Sequence, residues 1–209
     1  IPSSSYTMCI TDMNGDFLDD VVSANGSIGV IRINYQLEDG TFENVIFDID
    51  DFEDPGWSIA AGDFDNNGYN DLLTAGGAIS ILLANDDGTG YSEAFTSDYI
   101  FCQRSNCVDI NGDGNLDAFV CHDIEPNVYF MNDGLGNYEF HQGGLSDVPD
   151  GGNYGSVWID YDNDCDMDLF IAKCRGGVTP ANINQLFRND GDGVFVEVSE
   201  ESGLADDIQ

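Results

Sequence analysis

The sequence predicts an all-β chain made of four tandem, four-stranded antiparallel units of the β-propeller blade type. Three observations carry that prediction. A nine-residue acidic pattern occurs at 12–20, 63–71, 109–117 and 160–168, with start-to-start spacings of 51, 46 and 51 residues. Each copy lies between short apolar runs rich in strand formers, separated by Gly, Asn and Asp. No extended segment shows a 3.6-residue apolar period, so very little helix is expected. Units of this length cannot bury both faces of a sheet alone, so stacking unit on unit must supply the core.

The elements follow in order within each unit. A first strand covers Tyr6–Ile10, Ser58–Ala61, Asn106–Val108 and Ser156–Ile159, ahead of each acidic loop. A second strand leaves the loop at Val21–Val22, Leu72–Thr74, Ala118–Val120 and Leu169–Ile171. Further on, an Asn or Gln precedes a Gly-rich turn and an aromatic six residues later: Gln36 and Phe42, Asn85 and Tyr91, Asn132 and Tyr138, Asn189 and Phe195. Glycine supplies the positive φ of tight hairpin turns, so this signal joins a third strand to a fourth. The run Val128–Met131 before the turn and Tyr138–Phe140 after it illustrate that pair. The whole of 1–209 reads as one repeat domain with blades at about 1–50, 51–98, 99–147 and 148–202. Residues 203–209 read as a lead-in to a further blade. No spare strand is visible to clasp a four-bladed ring, so the expectation is a part of a larger propeller rather than a closed four-bladed one.

Forty acidic residues face five basic ones, and the net charge is −35 at pH 7. Such a chain repels phosphate backbones and anionic lipid, which excludes nucleic acid and membrane surfaces as expected partners. No apolar run approaches the ~20 residues that span a bilayer. The apolar share of 42% is enough for a core, which argues against disorder. Six cysteines, with no CxxC pair, lean toward an oxidising compartment. Cys107 and Cys121 flank the third loop almost symmetrically and are a candidate pair across a hairpin, although spacing alone leaves connectivity open.

Much of the acid is placed rather than scattered. Positions 1, 3, 5 and 9 of the loops are Asp12, Asn14, Asp16, Asp20; Asp63, Asp65, Asn67, Asp71; Asp109, Asn111, Asp113, Asp117; and Asp160, Asp162, Asp164, Asp168. If the backbone curls around a point, these oxygens converge, and the position-7 carbonyls of Leu18, Tyr69, Asn115 and Asp166 add a further donor. Clustered hard oxygens suit Ca²⁺; Mg²⁺ wants stricter octahedral geometry, and transition metals prefer imidazole or thiolate. Four Ca²⁺ ions would also offset the like-charge repulsion within each loop. An EF-hand needs a Glu at position 12, where this chain has Ser23, Thr74, Val120 and Ile171.

The pattern Asp-x-Asn/Asp-x-Asp/Asn-Gly-x-x-Asp followed by an apolar strand resembles the FG-GAP/VCBS repeat family. That family includes integrin α-subunit propellers and many secreted bacterial proteins. The stretch Leu186–Val198, ending near Gly203-Leu204, is similar to its bacterial members. The resemblance extends over essentially the whole chain and implies one calcium ion in the first hairpin of every blade, held by the residues above. Two loops depart from the pattern at position 6, where Gly is replaced by Phe17 and Cys165, which predicts distorted or weaker sites there.

Beyond calcium, Tyr6, Trp57, Gln103 and Tyr154 stand six residues before the loops, at the far end of the first strands. Tyr6, Trp57 and Tyr154 are candidates for stacking on a sugar or gripping a partner; packing between blades is the competing use of such rings. His122 and His141 fall at no equivalent repeat positions and read as surface or turn residues. No nucleophile elbow, phosphate loop or zinc-helix motif occurs, and no catalytic residue is nominated. The expected role is a non-catalytic, extracellular or cell-surface, calcium-binding module for a glycan or protein ligand. The alternatives are a portion of a propeller-type polysaccharide-active enzyme, with Lys173 and Arg175 as its nearby cations, or a spacer of a large surface protein.

Overall fold

The computed structural model describes residues 7–25, 29–49, 56–148, 151–174 and 180–205. The first sheet holds β1 (Met8–Thr11), β2 (Asp20–Asn25), β3 (Val30–Gln36) and β4 (Phe42–Asp48). The second holds β5 (Ser58–Gly62), β6 (Asp71–Ala75), β7 (Ile79–Ala84) and β8 (Tyr91–Thr96). The third holds β9 (Cys102–Val108), β10 (Asp117–His122), β11 (Val128–Asn132) and β12 (Tyr138–Gln142). The fourth holds β13 (Asn153–Ile159), β14 (Asp168–Lys173), β15 (Gln185–Asn189) and β16 (Phe195–Glu197). Each sheet is an antiparallel meander in chain order. Among the described residues, helix is confined to a 3-10 turn at Pro180–Asn182 and α1 at Ser199–Ser202.

Register fixes the position of the acidic loops. Thr11 pairs with Asp20, Gly62 with Asp71, Val108 with Asp117 and Ile159 with Asp168. Position 9 of each loop therefore opens the second strand, opposite the last residue of the first. The second turn signal is equally regular: Gln36 pairs with Phe42, Asn132 with Tyr138 and Asn189 with Phe195, while Tyr91 pairs with Ala84.

The sheets stack face to face. Val22, Ile31 and Ile33 meet Ile59, Leu72 and Leu82 across the first interface. Leu73, Ile79 and Ile81 meet Ala118, Val120 and Phe130 across the second. Phe119 and Cys121 meet Leu169, Ile171 and Phe187 across the third. The two middle sheets are covered on both faces, and so β6 and β10 are buried along their whole length, with Leu72-Leu73 and Ala118–Cys121 as their apolar centres. The first strands lie side by side, β1 on β5, β5 on β9 and β9 on β13. The Ser58 and Ser105 hydroxyls hydrogen-bond at 2.9 Å across one of these seams, and Ser156 donates to Asn106 Oδ1 across the next. No comparable packing joins β13 back to β1 among the described residues, so the four sheets form an open arc. The outer faces of the end sheets consequently expose Ile10 (68%) and Val157 (52%).

The cysteine expectation fails. None of the six cysteines forms a disulfide. In the β9–β10 ladder Cys107 lies opposite Ala118 and Cys121 opposite Arg104, three rungs apart, so the two cannot bond. Cys121 is buried in the third interface and Cys107 packs against the second, on opposite faces of one sheet. The cysteine-based argument for an oxidising compartment therefore loses its support. Of the expected lead-in, Gly203 caps α1 in the left-handed conformation, and 206–209 lie outside the described residues.

Candidate metal centres

Each acidic loop is a nest of side-chain acceptors filled by its own backbone donors. The position-1 carboxylate does the first part. Asp12 accepts the N–H groups of Gly15 at 2.7 Å and Phe17 at 2.8 Å. Asp63 accepts Asn67 and Gly68, Asp109 accepts Gly112 and Gly114, and Asp160 accepts Asp164 and Cys165. Position 5 accepts the N–H of position 7 in every loop: Leu18 donates to Asp16, Tyr69 to Asn67, Asn115 to Asp113 and Asp166 to Asp164. The residues proposed to lend a carbonyl are thus held to the curl by their own amides.

The tight curl needs left-handed backbone at positions 4 and 6. Positions 4 are Gly15, Asn66, Gly112 and Asn163, with φ between 59° and 77°. Positions 6 are Phe17, Gly68, Gly114 and Cys165, with φ of 67°, 92°, 89° and 78°. The distortion expected from Phe17 and Cys165 is therefore absent: both loops keep the common backbone, at the steric cost of a non-Gly residue in that region.

Position 9 ties the loop to the sheet. Asp20, Asp71, Asp117 and Asp168 are fully buried at 0% exposure. One carboxylate oxygen accepts the position-2 N–H, from Met13, Phe64, Ile110 and Tyr161 in turn. The other accepts an N–H at the end of the third strand, from Gln36, Ala84, Asn132 and Asn189. Burial raises the pKa of Asp71 to about 7 and of Asp117 to about 6; the two N–H bonds pull each down, and the neighbouring loop carboxylates push each up.

In the second loop, oxygens of Asp63, Asp65 and Asp71 lie within 4.8 Å of one another, and in the fourth those of Asp160, Asp162 and Asp168 do the same. The convergent set is positions 1, 3 and 9. Position 3 is Asn14 and Asn111 in the other two loops, whose amide nitrogens donate to Asp16 and Asp113. The position-5 carboxylate of Asp164 is not part of the convergent trio in the fourth loop. Three mutually repelling oxygens, one from a buried carboxylate, fit a hard divalent cation.

Two features escaped the sequence reading. The position-2 side chains of Met13, Phe64 and Ile110 are 2%, 1% and 2% exposed and plug the first, second and third sheet interfaces. Asn132 and Asn189, read only as turn residues, donate their amides to the carbonyls of Phe64 and Ile110 in the preceding sheet. An apolar residue at position 2 in all four loops was the visible signal for the first; nothing local marked the second.

A model of the FG-GAP-like repeat matches 12–74 and 109–171, each match covering two acidic loops. The chain belongs to the FG-GAP-like repeat family. No curated protein matches it. Among solved structures it is similar to the V. cholerae biofilm matrix protein Bap1, at 22% identity and a TM-score of 0.55 over 91% of this chain. This FG-GAP-like chain spans 27% of that protein's length. A weaker likeness, at 11% identity and a TM-score of 0.33, covers 93% of this chain and 12% of the Photorhabdus luminescens Tc holotoxin pore; it carries no argument.

Of the aromatic candidates, Tyr6 lies outside the described residues. Trp57 is 42% exposed and Tyr154 is 54% exposed, at the same end of β5 and β13, with β9 between those strands. They are not buried between sheets. His122 is buried rather than on the surface and caps a turn, and His141 stacks on Tyr129.

Proposed function

We propose that this FG-GAP-like chain is a calcium-stabilised, non-catalytic propeller module of an extracellular or cell-surface protein, binding a glycan or protein ligand. The observation that carries the calcium reading is the trio of loop oxygens within 4.8 Å in two loops, on a backbone curl that all four share. Asp12, Asn14, Asp16 and Asp20, and their equivalents in the other loops, are the proposed ligands, with one ion per loop. The ion ties position 1 to position 9, and so ties the loop to the position-2 plug between sheets. Calcium binding and sheet stacking are then linked. Extracellular free calcium suits sites that must stay filled. The exposed apolar end faces fit further blades of a larger chain. The exposed rings of Trp57 and Tyr154 offer a ligand surface. The biofilm-matrix name of the Bap1 neighbour agrees with an adhesive role.

The test is thermal melting with calcium or chelator, followed by glycan and protein arrays probed with the calcium-loaded chain. The expected result is a large fall in Tm on chelation and selective binding that Trp57→Ala or Tyr154→Ala weakens. An unchanged melt in chelator would sink the calcium reading, and blank arrays would sink the ligand reading.

A further inference from the structure

A tandem repeat gives every blade position an expected character, so a residue that breaks the period points to chemistry the fold does not require. Two such residues line the same cleft. The third residue of the outermost strand is Asn44, Glu93 and Glu197 in three sheets but Phe140 in β12. The linker after that strand carries a buried apolar residue, Ile49, Ile100 or Leu145, and the residue before it is Asp48, Tyr99 or Gly144. Tyr99 is 70% exposed and Phe140 55% exposed. Both line one cleft of about 460 Å³ where the outer strands of the second and third sheets splay apart. That volume lies in the range of small-molecule sites.

The cleft is built rather than incidental. Phe95 and Phe130 also line it, with Phe130 edge-on to Phe140 at 5.5 Å and to Phe95 at 5.1 Å, so the Phe140 ring is held in place. His122 lines the cleft from the end of β10 and is 5% exposed. Its Nδ1 accepts the backbone N–H groups of Glu125 at 3.2 Å and Ile124 at 3.4 Å, which puts the proton on Nε2. The Nε2–H has no hydrogen-bond partner among the described residues. Gln142 donates its amide to the Pro126 carbonyl at 3.3 Å, which leaves Oε1 as an acceptor. Asp98 adds a carboxylate at the rim.

We propose that this cleft binds a neutral sugar ring, its apolar face against Tyr99 and Phe140 and its hydroxyls on His122 Nε2–H, Gln142 Oε1 and Asp98. The assignment rests on the ligand-binding reading above and selects its glycan arm. A purely apolar ligand would bury the His122 donor and the Gln142 acceptor without partners. An anionic sugar would meet Asp98 and a chain charge of −35. A hydroxyl-rich ring with one apolar face satisfies both sets of groups.

The experiment titrates the calcium-loaded chain with glucose, galactose, mannose and N-acetylglucosamine, with glucuronate as the anionic counterpart, by amide-shift NMR and calorimetry. At least one neutral sugar should bind saturably with a millimolar Kd and shift the Tyr99 and Phe140 amides. Tyr99→Ala and Phe140→Ala should each weaken it by about tenfold or more. Leu135→Ala, at an 85% exposed site on the adjacent turn, should leave it unchanged. The proposal is overturned by shifts confined to other residues, by affinity unchanged in both aromatic variants, by preference for glucuronate, or by no saturable binding. Sugar binding that survives Tyr99→Ala but is lost in Trp57→Ala sinks the cleft and spares the module. A melt indifferent to calcium in the same samples sinks the calcium reading instead.

Discussion

Replacing Phe17 with glycine should stabilise the protein, and replacing Gly114 with alanine should destabilise it by a similar amount. Both residues sit at position 6, with φ of 67° and 89°. Phe17 is 95% exposed, so truncation forfeits almost no packing. A Cβ built on Gly114 meets nothing within 4 Å, so only the backbone resists alanine there. An L-residue in the left-handed region costs about 1–2 kcal/mol. Against that, glycine adds about 0.4–1 kcal/mol of unfolded-state entropy, which favours the larger residue. The difference is about 0.5–1 kcal/mol in favour of glycine at either site. For a chain of this size that is a Tm shift of roughly 1–4 °C. Urea denaturation in saturating calcium reads it directly, as opposite shifts in midpoint at constant slope. A neutral or stabilising Gly114→Ala, or a destabilising Phe17→Gly, would show that position 6 does not hold the curl described here.

Three further outcomes follow from the same geometry. Asp117→Ala removes the acceptor of two buried N–H groups, from Ile110 at 2.9 Å and Asn132 at 2.7 Å. At about 1–3 kcal/mol per orphaned donor it should cost roughly 2–6 kcal/mol in calcium, and a loss under about 1 kcal/mol would refute the role. Phe64→Ala empties the plug of a closed interface and should cost about 3–5 kcal/mol. Tyr161, at the equivalent position on the open end of the arc, is only half-buried; its alanine variant should cost far less, and equal losses would count against the plug. Calcium-stripped protein should lose stability as pH rises. Folding raises the pKa of Asp71 to about 7 and of Asp117 to about 6 from the ordinary 3.8, chiefly by burial. The folded state therefore holds protons that the unfolded chain has released, and stability present near pH 4 drains away up to about pH 7. Bound calcium favours the ionised loops, so the gap in Tm between loaded and stripped protein should widen over that window. A stripped-protein Tm that stays flat or rises there would contradict the buried-carboxylate account.

The four loops, their spacing, the strand on either side and the second turn signal are all legible in the chain. Each depends on groups within about ten residues of one another: Asp12 meets the amides of Gly15 and Phe17, and Asp117 meets that of Ile110. Local chemistry of that kind is written in local sequence. Loop distortion at Phe17 and Cys165 was the wrong expectation because ring closure by at least four hydrogen-bonded amides in each loop outweighs a penalty of ~1–2 kcal/mol. The Cys107–Cys121 pairing failed for another reason. A shift of register by an odd number of rungs puts two side chains on opposite faces of a sheet, and symmetry in sequence does not report it.

What the sequence by itself determined is the repeat, the oxygen-rich loops and the alternation of strand and turn, because these rest on contacts inside a single unit. Only the tertiary structure decided that position 2 plugs the interfaces, that Asn132 and Asn189 reach back to the preceding sheet, that the arc is open, and that Tyr99, Phe140 and His122 share a cleft. Those outcomes depend on how far twisted sheets diverge as they stack. That divergence is set by the summed packing of whole faces and has no counterpart in any short stretch of chain.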